Sequence, residues 1–569
     1  SAAGGFAYLG QRSAGRGGAR CVLALAAMQA IVASAQVPPP DAGRIQEQLR
    51  LPEPPRKPAA PQIRIAPPGE SKGDSAPFFV RSFRVTGATV FPEQRLAGLL
   101  GQPERPLRLA EVQALADRIT EFYRAHGYIV ARALVPVQDV REGIVEVRVV
   151  EGRYQRIDIS NASDISERRL RELLGNVRED AVVHGPTLER AVLLISDLAG
   201  IQPKATLEAG TQPGFTNLIL EVAPTPFAQY DVSVDNAGSR YTGRYRLSGG
   251  ATLNSPLHLG DRLSVRALTS GANLGSVQLS YDAPLGYTSL RAGGYVTDTE
   301  YKLGDVFSAL DASGSARSYG ATLVYPAVRT ADLNLRAQLV AERRELVDRL
   351  GAFGTKNNRS MSLVRWGGSG DARDGVLGGG LTAFQVLLTQ GTLALHSPDF
   401  AVSDAATART RGDFRKVSLA ANRLQTLTDK LRLTLTYTGQ LAADNLDSSE
   451  KFSVGGITGV RAYPPGEAAG DDVHLLQIEL RYDAGSWRGG RLTPLLFLDH
   501  ARSRLNHRLW DGFNGANVRH LSDLGLGTEW AIPGAWFVRG WYAHKLGGEA
   551  ATAEPDRAAR LWLQAGLLY

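Results

Sequence analysis

FSVGGITGVRAYPPGEAAG, residues Phe452 to Gly470, is too rich in glycine and proline to be helix or strand interior. Two cleanly alternating segments flank it, LRLTLTYTGQL (Leu431–Leu441) and HLLQIELRYD (His474–Asp483). A connection as long as residues 443–471 between such segments is more often functional than idle. Inside the glycine-proline region stands one cation, Arg461, with Tyr463, Pro464 and Pro465 just after it. Downstream, the otherwise apolar stretch TPLLFLDHA (Thr493–Ala501) carries a lone carboxylate, Asp499. Alternation puts Leu492, Leu496 and Leu498 on one face and Phe497 and Asp499 on the other. A carboxylate facing lipid is costly, so the second face is expected to line a lumen. The planar fork of an arginine suits a carboxylate. The expectation is a loop folded back into a β-barrel, with Arg461 held against Asp499 on the inner wall.

Working outward, the same alternation fills the chain after Pro224-Thr225-Pro226. Leu476, Ile478, Leu480 and Tyr482 share one face, and Gln477, Glu479 and Arg481 the other. Lipid outside and water inside produce this pattern, although a soluble sandwich alternates too. The connections separate the two. Short links (254–260, 283–286, 426–430, 531–534) alternate with longer ones at 298–315, 343–358, 389–412, 443–471 and 503–517. Short turns on one side and long loops on the other are the habit of outer-membrane barrels, here of about 16 strands of roughly ten residues. The chain ends on LWLQAGLLY, whose last residue, Tyr569, is expected to close the barrel and to carry an assembly signal.

The N-terminal part reads differently. Residues 1–35 have the three arginines, short apolar core and small-x-small end of a secretory signal. They contain the only cysteine, Cys21, and their removal takes the formal net charge from +7 to +4. That mild charge gives no argument for a nucleic-acid partner, and thiolate metal sites are not expected. No apolar run reaches the roughly 18–20 residues of a spanning helix. Residues 36–76 form a proline-rich tether, whose prolines argue against both helix and sheet. Only Asp41–Arg50 interrupts it, as a short helix capped by Asp41 and marginal alone. Two modules follow, 77–152 and 153–224, each read as strand, helix, helix, strand, strand; in the first, FFVRSFRVTG (Phe78–Gly87) and ARALVPVQ (Ala131–Gln138) are each expected as one strand. Gly127 and Gly200 fall at the ends of the second helices, where C-capping glycines belong. There is no Gly-x-Ser-x-Gly, no His-Glu-x-x-His and no ATP-binding Gly-x4-Gly-Lys-[Ser/Thr], so no enzyme and no cofactor is expected.

Signal, tether, two modules and barrel in this order resemble the TpsB transporters of two-partner secretion, the haemolysin and filamentous-haemagglutinin secretion proteins of the POTRA-barrel superfamily. The likeness covers about Pro38 to Tyr569. Val460-Arg461-Ala462-Tyr463 matches the VRGY tip of the family's long inward loop. Phe497-Leu498-Asp499-His500-Ala501 matches its F-x-D-x-G strand motif, and Gly525 and Gly527 the G-x-G of the next strand. Ala462 and Ala501 replace motif glycines, which puts the fine loop conformation in question. The resemblance implies a mainly β fold: an antiparallel transmembrane barrel behind two periplasmic POTRA domains and an N-terminal helix with its linker. It implies that Val460, Arg461, Tyr463, Phe497 and Asp499 lock the loop. It implies a Gram-negative outer-membrane protein, placed there by the barrel assembly machinery, that recognises one large TpsA-type partner through its POTRA domains and exports it without ATP. A barrel-assembly factor is the nearest alternative, since its relatives share the tip and strand motifs. A passive porin would need no such modules.

Overall fold

The computed structural model describes residues 39–49, 63–65 and 76–569; the signal segment, with Cys21, and most of the tether lie outside the described residues. Among the described residues no helix is long and apolar enough to cross a membrane. Sixteen long antiparallel strands, with a two-residue strand at Ser486–Trp487, form a closed barrel. The first, Ala228–Asp235, pairs with the last, Ala559–Leu568, so that no edge is left unpaired in lipid. Reciprocal backbone bonds of 2.8 Å between Tyr230 and Tyr569 complete that seam.

Beneath the barrel sit the two modules. In the first, Ser82–Thr86 runs parallel to Ile144–Val150, which pairs antiparallel with Arg132–Leu134. Helices Glu93–Leu100 and Leu109–Ala125 cover this sheet through Leu96, Leu100, Ala116, Ile119 and Tyr123. In the second, Arg153–Asn161 runs parallel to Phe215–Pro224, which pairs antiparallel with Ile201–Ala209. Gly127, just past the C-cap His126, holds φ near +88°, the left-handed conformation that ends its helix; Gly200, at φ near +87°, is not a C-cap but lies three residues beyond the C-cap Asp197, in the turn into Ile201–Ala209. The second module is fastened to the barrel rim. Arg329 grips Asp197 with two bonds of 3.0 and 2.8 Å, and Arg169 donates to the Gly286 carbonyl at 2.7 Å.

Four more sequence expectations need correction. FFVRSFRVTG is not one strand: Phe78–Val80 pairs with Arg105–Leu107 in a separate ribbon, and the main-sheet strand starts at Ser82. The chain turns at Arg81, where the amides of Arg81 and Ser82 both reach the Gly143 carbonyl. The third strand of that module is only Arg132–Leu134, stopping short of Pro136, which cannot donate to a ladder. The tether does enter a sheet, since Ile63–Ile65 pairs in parallel with Ala205–Leu207 at the edge of the second module. Edge positions tolerate flanking prolines, which is why a proline-rich chain can do this.

The fourth correction concerns the outer loops. Half of residues 298–315 and most of 343–358 are strand: Arg291–Lys302 leads into Ala312–Arg329, and Leu333–Leu350 into Thr355–Asp374. The longest strand has 20 residues, about twice what the bilayer needs, so these hairpins extend past the lipid as ribbon. The other long connections remain, and the helix Pro398–Ala406 lies within one of them.

Candidate functional site: the inward loop and its lock

Between the strands Leu431–Ala442 and Asp472–Tyr482 the chain folds into the barrel. The loop is pinched shut at its base by two 3.0 Å bonds between the backbones of Phe452 and Gly470. At its tip the Val460 amide bonds back to the Val454 carbonyl at 2.7 Å, a tight reversal that glycines on both sides permit. Gly459 has no room for a side chain, because a Cβ there would meet the Val454 carbonyl oxygen at 2.1 Å. This reversal drives Val460, Arg461, Ala462 and Tyr463 into the interior, each 2% exposed or less.

Arg461 makes the expected contact. Its Nε and Nη2 donate to the two oxygens of Asp499 at 2.8 and 2.7 Å, the bidentate geometry of a strong pair. Nη1 donates to Glu479 at 2.6 Å, and the guanidinium lies 3.6 Å from the centre of the Phe497 ring. Phe497 in turn needs the first glycine of the next strand's Gly-x-Gly. A Cβ on Gly525 would come within 2.2 Å of its ring, and one on Gly527 within 2.8 Å of the Gly540 carbonyl oxygen. Thus the two motifs are one object: glycine makes room for the ring, and the ring carries the cation. Tyr463 donates its hydroxyl to the Glu549 carbonyl at 2.9 Å, and Lys545 lies over its ring. Tyr569 is far from this cluster, at the barrel seam.

The two departures from the motif prove harmless in backbone terms. Ala462 is not among the residues with positive φ, so the tip does not require glycine there. Its amide donates to Asp523 at 2.5 Å. Ala501 is fully buried and stands opposite Leu475 and Leu521, where a methyl group fits.

Other members of the site were not identified from the sequence. Glu479 was visible as a polar-face residue but carried no sign that it shares Arg461. Asp523 stands directly opposite Asp499, and Trp562 donates its indole N–H to the Arg461 carbonyl at 2.7 Å. Two further anchors hold the loop. Glu450 sits 2.8 Å from Arg344 and 2.7 Å from Lys416, with all three buried. Glu467 accepts from Arg519 and from the amides of Thr552 and Ala553 at 2.9 and 2.8 Å. The helix Ala42–Gln48 also lies in the lumen, with Asp41 as its N-cap, accepting from the Arg44 amide at 2.9 Å. Asp41 meets Ser448 of the loop at 2.6 Å and Arg359 of the wall at 3.1 Å. These are buried ion pairs that position the loop backbone inside the barrel.

Comparison with known proteins agrees with this geometry. The family model "Haemolysin secretion/activation protein ShlB/FhaC/HecB" matches residues 214–508, and a ShlB-type POTRA domain matches residues 78–152. The chain belongs to this family. It is an outer-membrane transporter of two-partner secretion, with its POTRA modules on the periplasmic side. It is 29% identical over 463 residues to the heme/hemopexin transporter protein HuxB of Haemophilus influenzae strain 86-028NP, covering 81% of each chain. It is 24% identical to the outer membrane transporter CdiB of Dickeya dadantii, over 78% of this chain and 80% of that one. The solved structure of CdiB from Escherichia coli superposes with a TM-score of 0.70 at 19% identity, covering 98% of this chain and all of that one. BamA from Haemophilus ducreyi shares the barrel with a TM-score of 0.51 at 12% identity, covering 86% of this chain and all of that one, which is a likeness of fold alone. The family match, not the barrel, separates transporter from assembly factor.

Proposed function

We propose that the two modules, residues 77–152 and 153–224, capture one large unfolded exoprotein by strand addition and hand it to the barrel, residues 225–569. The observation that carries this reading is the tether strand. Ile63–Ile65 occupies the edge of Ile201–Ala209 with only three residue pairs. An edge that accepts one extended segment accepts another, and backbone pairing is largely blind to sequence. A longer client strand would outcompete so short an occupant. Displacing it frees the tether that leads to the helix Ala42–Gln48, so client capture and clearing of the lumen become one event. The Arg461–Asp499 lock, in this reading, holds the inward loop in the shape that export requires. Folding of the client outside supplies the drive.

The test uses the register partners Arg64 and Thr206. A chain carrying Arg64→Cys and Thr206→Cys, cross-linked by oxidation, should stop exporting its partner and recover on reduction. Equal export from the oxidised and reduced forms would reject displacement. The likeness to a heme/hemopexin transporter makes a haem-acquisition exoprotein the first client to assay.

A further inference from the structure

We propose that the outer wall of the barrel, at the strands Ala312–Arg329, Leu333–Leu350 and Thr355–Asp374, binds a phosphorylated glycolipid of the outer leaflet, with Arg343 on a phosphate and an acyl chain in the hollow below it.

The outward-facing residues of Leu333–Leu350 read Leu333, Leu335, Ala337, Leu339, Ala341, and then Arg343. The neighbours change from apolar to polar at the same level: Tyr319 to Arg317, Val364 to Ser362, Leu388 to Gln390, Val417 to Arg415. From Leu333, at the periplasmic turn, to Arg343 is ten strand steps, about 33 Å along the strand and roughly 25 Å after tilt, the height of the apolar band. Arg343 therefore stands at the outer boundary of the hydrocarbon, at the depth of lipid phosphates.

Its chemistry is that of a cation waiting for an anion. Arg343 donates to Ser362 at 2.9 Å and to Ser360 at 3.0 Å, and among the described residues it forms no ion pair. Arg415, also outward and exposed, has no ion pair among the described residues either. The nearby carboxylates lie one step nearer water. Asp298 pairs with Arg317, Asp413 accepts from Thr392 at 2.6 Å, and Glu345 is exposed. An arginine at this boundary that bonds to hydroxyls and to no carboxylate among the described residues is stabilised by a lipid phosphate.

Below the arginine the wall is hollow. Gly294, Ala321 and Ala341 face one another across three strands, a row of small side chains flanked by Tyr319 and Trp366. The depression has a volume of about 1190 Å³, far more than one water and enough for acyl chain. Arg415 lies three strands from Arg343, about 14 Å at the usual strand spacing. Two cations so spaced fit a headgroup with more than one phosphate better than a single-phosphate lipid. On the inner side of the same strand, Glu342 and Arg344 belong to the cluster that holds Glu450 of the loop, so an occupied hollow would brace that anchor from behind.

The test titrates the full-length protein in neutral detergent with bis-phosphorylated hexa-acyl lipid A, and separately with phosphatidylglycerol and phosphatidylethanolamine, reading bound lipid by native mass spectrometry. Saturable binding of lipid A, at least about tenfold tighter than either phospholipid, is expected. Arg343→Gln should weaken it about tenfold, Arg343→Lys should largely retain it, and Ala341→Trp should block it by filling the hollow. Folding of each variant is checked by heat-modifiable migration; should Arg343→Gln misfold, Arg415→Gln carries the same expectation of weakened binding. Equal affinity for phosphatidylglycerol, or lipid A binding unchanged in a folded arginine variant, would overturn the proposal and leave only annular lipid.

Discussion

Arg461→Ala is the most informative single change. It removes three charge-assisted bonds and the contact with Phe497, and leaves Asp499 buried without its cation, while Glu479 keeps Arg481 at 2.9 Å. Breaking a buried pair from one side costs about 3–5 kcal/mol, against roughly 0–1 kcal/mol for an exposed pair. The Arg461 side chain is only 3% exposed, so the larger figure applies. Losing the ring contact adds roughly 0.5–2 kcal/mol. At about 1.4 kcal/mol per factor of ten, even the lower bound shifts docking of the loop more than a hundredfold. Asp499→Ala should be milder, because Arg461 keeps Glu479 at 2.6 Å.

The barrel itself should survive, since its closure rests on the backbone ladder between Ala228–Asp235 and Ala559–Leu568 and not on the loop tip. Two readouts then separate loop from wall. Partner in the medium, at equal barrel abundance, should fall sharply. A cysteine at the fully buried Val460, in a chain whose only native cysteine is Cys21, should resist maleimide in the parent and react in the Arg461→Ala background. The double variant should be little worse than Arg461→Ala, because one contact is being removed twice. Full secretion together with continued protection of position 460 would refute the reasoning.

Three more perturbations address the other parts. A Cβ on Gly43 would meet the Ser449 amide nitrogen at 2.6 Å, so Gly43→Val should expel the helix Ala42–Gln48 and raise single-channel conductance in planar bilayers; unchanged conductance would show that the helix does not occlude the passage. Deleting Leu567–Tyr569 removes the pairs Val232–Leu567 and Asp231–Leu568 and both Tyr230–Tyr569 bonds, and should abolish the heat-modifiable barrel, whereas normal folding would place the assembly signal elsewhere. In the first module, burial pushes the Glu151 carboxyl up, but bonds from the Thr89 hydroxyl, the Val90 and Thr89 amides and the Tyr123 hydroxyl outweigh it and hold it below its usual range. Its stabilisation is therefore complete above the unfolded value, near pH 4.3, and is lost as pH falls through the lower folded one; urea midpoints of the soluble 77–224 fragment should drop there, and Glu151→Gln should flatten that drop.

The Arg461–Asp499 contact was legible because a lone carboxylate on an alternating strand and a lone arginine in a glycine-proline loop are each costly unless they meet. Period two gives the face of a residue but not its height on the wall. Glu479, Asp523 and Trp562 come from three different strands, and only the register brings them to Arg461. The outer ribbons were read as loops for a related reason. Beyond the lipid both faces of a strand turn polar, as in ERRELVDRL (Glu342–Leu350), and the alternation disappears while the backbone pairing goes on. The tether strand was missed because its three residues are too few to show a period.

The loop's three anchors differ in what can loosen them. Arg461 and Glu467 are held by the wall and by outer turns. The segment Asp447–Glu450 is different. Arg359 meets Asp447 at 3.4 Å and Asp41 at 3.1 Å, and Ser448 donates to the same Asp41 oxygen. When the helix leaves, Arg359 loses one of its carboxylates and Ser448 its acceptor, while Asp348 of the wall stays within 3.3 Å of Arg359. On the proposed reading, departure of the helix also frees the Ser453 amide from Glu47 and loosens the first limb of the loop, while the bonds of Arg461 to the wall stay in place. On the same reading, a loop freed at one end and pinned at the other swings aside without leaving the barrel, widening the passage while the Arg461 tip stays in place.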